Sequence, residues 1–340
     1  MSTLNLAIVG LGRLGKRHAL NLHQQVPQAR LIAACSPVAE ELDWARANLG
    51  ADIMCTDDYA AILRHPEVNA VVLVTPTSLH AEQIIAAIDA GKHVFCEKPL
   101  ALNLQDCLKV EQTAAAHPEL KVMIGFVRRF DPSYYEAWQA IQDQTIGEPF
   151  FVRSQTCDQL DPSGGFVRFS PTSGGIFMDC SIHDIDLARW LLGNPKPVRV
   201  YASGVNSHHP ELAQFADVDN GIAVVEFENG KMAQFYTSRT FAHGHDTHTE
   251  IIATRGNLHI GLGAHSSRVQ YATANGIGHP TPPDFYERFK EAFLLELNDF
   301  VDCVIHDRPL RLQLSDATQA ARIGLGITAA FRTRQLYEFD

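Results

Sequence analysis

Hydrophobic positions near the start of the chain fall into short apolar runs separated by longer amphipathic stretches. Leu4–Val9 and Ala29–Cys35 are such runs, and Ala70–Val74 reads Ala-Val-Val-Leu-Val without a polar break. An unbroken β-branched run suits a strand buried on both faces, as in a parallel sheet. His93–Cys96 and Lys121–Gly125 complete the predicted strands of this region. Between them Arg13–Gln24, Ala39–Leu49, Leu79–Ala90 and Leu104–Ala116 have helical composition, the second stopping at Gly50 and the third at Gly91. Strict alternation of strand and helix predicts an α/β fold with a doubly wound parallel sheet over residues 1–125.

The pattern changes beyond that point. Pro149–Thr156 reads as a strand and Asp179–Leu192 as one helix, followed by strands at Val198–Ala202, Ile222–Phe227 and Lys231–Ser238. The last two flank Glu228-Asn229-Gly230, a hairpin signal, and Glu250–Ala253 pairs with Asn257–Ile260 across Thr254-Arg255-Gly256. Consecutive strands joined by short turns predict an α+β domain over residues 126–340 with a large, mostly antiparallel, open sheet. Helices at Phe285–Ile305 and Leu314–Thr333 end the chain and are placed to pack back on the first domain.

Composition narrows the function classes. Of 340 residues, 46% are hydrophobic and 20% charged, enough for two packed domains and against global disorder. A net charge of -11 argues against a nucleic-acid or anionic-membrane partner. No apolar run reaches the ~18 residues of a membrane span, and Leu4–Val9 reads as a strand rather than a leader, so the expected compartment is the cytoplasm. The seven cysteines show no Cys-x-x-Cys, so neither a disulfide framework nor a structural zinc site is expected.

Chemistry enters at the first turn. Gly10-Leu11-Gly12-Arg13-Leu14-Gly15 is a G-x-G-x-x-G that follows a strand and opens a helix. In that context the glycines allow the tight turn, the approach of a pyrophosphate and close helix–strand packing, while the helix N-terminus faces the phosphates. A glycine turn without a ligand is the alternative. The second strand should end in an acid for the adenosine ribose, but Ser36 stands there. No arginine follows it, and Glu40 and Glu41 would disfavour a 2′-phosphate, although Arg13 could partly compensate. NAD is therefore the expected cofactor, with NADP the alternative.

Strand His93–Cys96 runs into Glu97-Lys98-Pro99, and ligands of open parallel sheets bind beyond the carboxyl ends of the strands. There the Lys98 ammonium could stabilise a developing alkoxide and relay a proton; an isolated Lys-Pro would read as a surface turn. Thr75-Pro76 would line the same crevice, and His80 reads as a capping or packing residue. Further on, Asp179 and His183 are four apart and would share a helix face. The imidazole could take a hydroxyl proton as hydride leaves, with the carboxylate orienting the substrate. A dipole-stabilising acid beside a structural histidine explains the spacing equally well. A metal site lacks a third ligand at helical spacing.

Taken together, Gly10-x-Gly12-x-x-Gly15, Glu97-Lys98-Pro99 and Asp179-x-x-x-His183 resemble the Gfo/Idh/MocA oxidoreductases over nearly the whole chain. Arg128-Arg129-Phe130-Asp131-Pro132 and Ser173–Leu192 look most like the inositol dehydrogenases of that family. The resemblance implies a Rossmann domain, a second domain whose open sheet mediates dimers or tetramers, and Lys98, Asp179 and His183 as the catalytic trio. His183 would be the general base, Lys98 and Asp179 would orient and polarise the substrate, and Arg128 would contact it. Two departures stand out: Ser36 at the ribose position, and the histidine-rich Phe241–His248 where some relatives place a tyrosine. His243 or His245 would bind substrate hydroxyls there, or be solvated loop residues. The implied reaction is oxidation of a cyclic polyol, an inositol (myo- or scyllo-) going to an inosose. Alternatives are an aldose dehydrogenase forming a lactone and a dinucleotide-binding sensor without turnover.

Overall fold

The computed structural model describes residues 2–340 and divides into two compact units. One comprises the chain up to Val127 together with Glu291–Gln319; the other comprises Arg128–Lys290 and Ala320–Asp340.

The first unit runs β1 (Leu4–Val9), α1 (Arg13–Gln24), β2 (Ala29–Cys35), α2 (Ala39–Leu49), β3 (Met54–Thr56), α3 (Tyr59–Arg64), β4 (Ala70–Leu73), α4 (His80–Asp89), β5 (His93–Glu97), α5 (Leu104–Ala115) and β6 (Val122–Gly125). Its six strands lie in the order β3-β2-β1-β4-β5-β6 and every neighbouring pair is parallel. The strand order reverses between β1 and β4, which opens the crevice where such sheets bind dinucleotides. All four residues of β4 are fully buried, as the unbroken apolar run demands. Strand β3 and helix α3 went unread in the sequence because three half-buried edge residues and a six-residue helix carry no periodicity.

The second unit continues with α6 (Pro132–Gln142), β7 (Pro149–Gln159), α7 (Gly165–Ser173), α8 (Ile176–Asp179), α9 (Ile182–Leu191), β8 (Pro197–Val205), β9 (Asn220–Phe227), β10 (Met232–Phe241), β11 (Asp246–Ala253) and β12 (Gly256–Ile260). A small hairpin, β13 (Tyr271–Thr273) with β14 (Gly276–Gly278), precedes α10 (Phe285–Ile305), α11 (Leu314–Thr333) and β15 (Tyr337–Glu338). The seven-stranded sheet has the order β12-β11-β7-β10-β9-β8-β15. Asn229 and Gly230 take the left-handed conformations that close the β9–β10 hairpin.

The expected sheet is present with one refinement, and one expected helix needs correcting. The sheet is mostly antiparallel, but its central pair, β7 and β10, is parallel, which brings the carboxyl ends of both strands to one edge. The predicted helix Asp179–Leu192 is two helices. Ser181 N–H reaches five residues back to the Ile176 carbonyl at 3.3 Å, and this wide turn separates α8 from α9. Helices α8 and α9 cover one face of the sheet. The other face is open and carries exposed Tyr201, Ile222, Val224 and Met232.

Candidate active site

The glycine turn is built as its spacing demands. Gly10 has φ +91°, and a Cβ there would stand 2.5 Å from the Val74 carbonyl oxygen. A Cβ on Gly15 would stand 2.0 Å from the Gly10 carbonyl oxygen, so helix α1 can lie this close to β1 only with glycine. Gly12 opens α1 with no side-chain cap, which leaves the first N–H groups of a twelve-residue helix to a ligand. Leu11 is buried, while Gly12 and Arg13 are exposed and Leu14 is half-buried. The nearest atom to a Cβ on Gly12 is Glu41 Oε1 at 4.0 Å, so the turn is an open cradle wide enough for a pyrophosphate.

Glu41 supplies what the strand end lacks. Ser36 is buried, and its hydroxyl donates to Glu41 Oε2 at 2.5 Å while accepting the Val38 N–H at 3.1 Å. The acid expected at the end of β2 thus arrives five residues later, from the first turn of α2. Sequence reasoning had read Glu41 only as repelling a phosphate; its Ser36 contact was not legible from position alone. The residues fit a dinucleotide whose ribose 2′-OH is unphosphorylated.

Around the ends of β4 and β5, Thr75 donates through its hydroxyl to Gln83 at 2.6 Å, and Pro76 starts the turn that leads into α4. His80 is more than a packing residue. Its Nδ1 lies 2.8 Å from the Pro99 carbonyl and its Nε2 2.8 Å from the Thr75 carbonyl, so it ties together the loops that follow β4 and β5. Burial pushes its pKa down, against the two carbonyl contacts and the nearby Glu97. Lys98 is half-buried next to Glu97, whose Oε2 accepts the Lys98 backbone N–H at 3.3 Å.

In the second unit, Asp179 ends α8 and His183 lies in the first turn of α9, both half-buried. The start of α8 is held by Asp217, which accepts the Ile176 N–H at 2.9 Å and the Ser170 hydroxyl at 2.7 Å. Two buried Arg–Asp pairs fix α9. Arg128 Nη1 donates to Asp184 Oδ1 at 2.9 Å and Nη2 to the Thr156 hydroxyl at 2.7 Å, while Ser154 and Thr156 both donate to Asp184 at 2.6 Å. Arg129 forks onto Asp186 at 2.8 and 2.6 Å, with its guanidinium over the Trp190 ring. These bonds bind α9 to the sheet and to the start of the unit, and His183 rides on it.

The parallel pair then contributes what no local motif announced. Asp158 at the end of β7 and Arg239 near the end of β10 meet at the sheet edge, with Arg239 Nη1 3.5 Å from Asp158 Oδ2. Arg239 also donates to Asp179 through Nη2 in a short contact, and its guanidinium sits 5.1 Å from the Phe166 ring centroid. His245 Nδ1 lies 2.9 Å from Asp158 Oδ1, and its buried Nε2 has no partner among the described residues. Burial raises the Asp158 carboxyl, but His245 and Arg239 outweigh it and hold the group well below the ordinary range. Burial likewise opposes the Arg239 charge, and its surroundings, the Cys180 sulfur with the Asp179 and Asp158 carboxylates, more than restore it.

Comparison with known proteins decides the family. Residues 4–126 match the model described as "Oxidoreductase family, NAD-binding Rossmann fold", and residues 134–259 match the GFO/IDH/MocA C-terminal domain. The chain belongs to the Gfo/Idh/MocA oxidoreductases. Within that family it is 38% identical over 339 residues to the scyllo-inositol 2-dehydrogenase (NAD(+)) of Bacillus subtilis (strain 168), covering 98% of this chain and 96% of the relative. It is 31% identical to the myo-inositol 2-dehydrogenase of Thermotoga maritima, with 94% of each chain covered. The crystal structure of scyllo-inositol dehydrogenase from Lactobacillus casei with bound NAD(H) and scyllo-inositol superposes with a TM-score of 0.95 at 37% identity, over 99% of both chains.

Two of the residues expected at the Gfo/Idh/MocA site have surroundings that define their roles. Arg128 is buried and its two terminal nitrogens are committed to Asp184 and Thr156, so it braces α9 and does not offer a free fork to a substrate. The histidines separate: His245 is buried on Asp158, whereas His243 is exposed at the rim, 3.2 Å from Asp246. Asp158 and Arg239 were missed because their partners lie 60 to 87 positions away in sequence.

Proposed function

We propose that this protein is an NAD-dependent inositol 2-dehydrogenase with scyllo-inositol as its preferred substrate, oxidised at one secondary hydroxyl to the inosose. The observation that carries the reading is full-length similarity, at 38% identity, to a scyllo-inositol 2-dehydrogenase, in a chain whose Lys98, Asp179 and His183 stand on well-braced elements. Bound NAD supplies the hydride acceptor. The open helix terminus at Gly12 and Arg13, with Glu41 oriented by Ser36, would hold it.

His183 takes the hydroxyl proton, a task suited to an imidazole near neutral pH. The Lys98 ammonium supplies positive charge for the alkoxide character that develops as the C–H bond weakens. Asp179, fixed by Arg239, orients a neighbouring hydroxyl, and the unpartnered Nε2 of His245 is the candidate contact to another. The open sheet face, with Tyr201 half exposed and Ile222, Val224 and Met232 beside it, is the surface through which copies of the chain would associate as dimer or tetramer. Among the described residues no helix is long and apolar enough to cross a membrane.

The test is NADH formation from NAD against scyllo-inositol, myo-inositol, D-chiro-inositol, D-glucose and D-xylose. Turnover highest with scyllo-inositol is the expected result. Turnover confined to the aldoses would replace the inositol reading, and NAD binding without turnover on any polyol would leave a sensor.

A further inference from the structure

Glu296 on α10 is fully buried, and neither of its carboxylate oxygens has a hydrogen-bond partner among the described residues. It faces His18 on α1 and Glu97 at the end of β5, and one ligand-capable atom from each of the three lies within 4.8 Å of the others. All three are within the nucleotide unit. His18 Nε2 is 2.7 Å from Glu97 Oε1, and the Nδ1 of the same ring is buried without a partner. The surroundings are hydrocarbon: Phe95 and Phe293 stand edge-on to the His18 ring at 5.7 and 5.6 Å, and Phe300 packs on Phe95. Besides these three, the titratable groups nearby are Cys96, His80 and Lys98, each interacting with or adjoining Glu97.

Two carboxylates in such a chamber cannot both stay ionised, because removing each charge from water costs several kcal/mol and their mutual repulsion adds to it. The donors decide which acid keeps its charge. Glu97 receives His18 on one oxygen and the Lys98 N–H on the other; Glu296 receives none, so the proton belongs to Glu296. A bound cation is the competing way to neutralise the cluster. A zinc-type ion wants four ligands at about 2 Å, whereas three side chains converge here and the His18–Glu97 contact is an ordinary N–H···O bond.

We propose that Glu296 is a neutral carboxylic acid that donates to the Glu97 carboxylate and so acts as a positioning residue for Lys98. Burial first, and the Glu97 charge second, push the Glu296 acid well above the usual carboxyl range, in agreement with the geometry. The inference rests on Lys98 being the catalytic lysine. Its structural logic is a chain of contacts: the Glu296 hydroxyl steadies Glu97, Glu97 holds the Lys98 backbone, and the amine inherits that placement.

The test uses the full-length protein and its Glu296→Gln and Glu296→Leu variants. An infrared difference spectrum at neutral pH between wild type and Glu296→Gln is expected to show the carbonyl stretch of a buried carboxylic acid in the wild type alone. Glu296→Leu, which fills the space but donates nothing, is expected to lower kcat about tenfold to a hundredfold, with KM for NAD little changed, and Glu296→Gln to recover most of that loss. No carboxylic acid band, a Leu variant as active as wild type, or a stoichiometric metal ion lost on Glu296→Gln would each overturn the proposal. Full turnover in Lys98→Met would instead remove the catalytic reading and leave the infrared band in place, so the two failures are distinguishable.

Discussion

The nucleotide end and the substrate end of this molecule are made by opposite means. At the nucleotide end the backbone does the work: a turn in which two glycines allow otherwise forbidden approaches, and a helix start left uncapped. At the other end the work falls to charged side chains drawn from β7, β10, α8 and the loop before β11, each holding the next: His245 on Asp158, Asp158 on Arg239, Arg239 on Asp179. A backbone device is local in sequence and tolerates almost any side chain beyond its glycines. A side-chain network is distributed and fails at any link. The difference predicts where each end breaks.

The largest effects should come from the groups proposed to act on the reacting hydroxyl. His183→Asn is expected to lower kcat by about 10²- to 10⁴-fold, the usual contribution of a general base, while NAD still binds by fluorescence titration. Wild-type turnover in that variant would remove His183 from the chemistry. The backbone end should break through stability instead. Gly15→Ala places a Cβ against the Gly10 carbonyl oxygen and should cost ~3 kcal/mol or more of unfolding free energy, read by denaturant titration, with NAD binding lost.

Arg239→Met tests the network itself. It leaves Asp179 and Asp158 without their shared partner, and kcat/KM for scyllo-inositol should fall about a hundredfold, with KM for NAD unchanged. Arg239→Lys should recover little, because a single ammonium cannot fork across two carboxylates. If both ends fail equally in Arg239→Met, the two ends are not independent.

How far each end could be read from sequence follows from the same contrast. G-x-G-x-x-G, the Glu-Lys-Pro tripeptide and the Asp179/His183 spacing are short-range signals, and the parallel sheet announced itself through unbroken apolar strands. The parallel pairing of β7 with β10 was illegible, since neither the turn nor the composition of a strand names a partner some eighty residues away. Without that pairing, Asp158 and Arg239 were two charged residues among many. The bracing of α9 by Arg128 was hidden for the related reason that its partner, Asp184, lies 56 positions on. Glu296 did carry a signal: an acid inside Phe293-Leu294-Leu295-Glu296-Leu297 is out of place unless something buried needs it.

Smaller effects sharpen the nucleotide end. Glu41→Ala should shift the NAD over NADP preference, as a ratio of kcat/KM values, by about tenfold toward NADP, a loss of ~1.4 kcal/mol; an unchanged ratio would detach Glu41 from the ribose. The smallest expected effect is on pH. His80 and His93 have folded pKa values pushed below the unfolded value of about 6.5, chiefly by burial. The folded state therefore holds fewer protons than the unfolded one. The stability is fully present above about pH 6.5 and declines as pH falls below it. Thermal unfolding between neutral and mildly acidic pH should show this decline, and His93→Asn should reduce its slope.

The contact between Ser36 and Glu41 reaches beyond binding. Cells hold their unphosphorylated dinucleotide pool mostly oxidised and the phosphorylated pool mostly reduced. A carboxylate held at 2.5 Å by a serine hydroxyl just beyond the end of β2, in the role proposed for it, would tie turnover to the first of these pools. Through that pool it would favour consumption of the polyol over its synthesis.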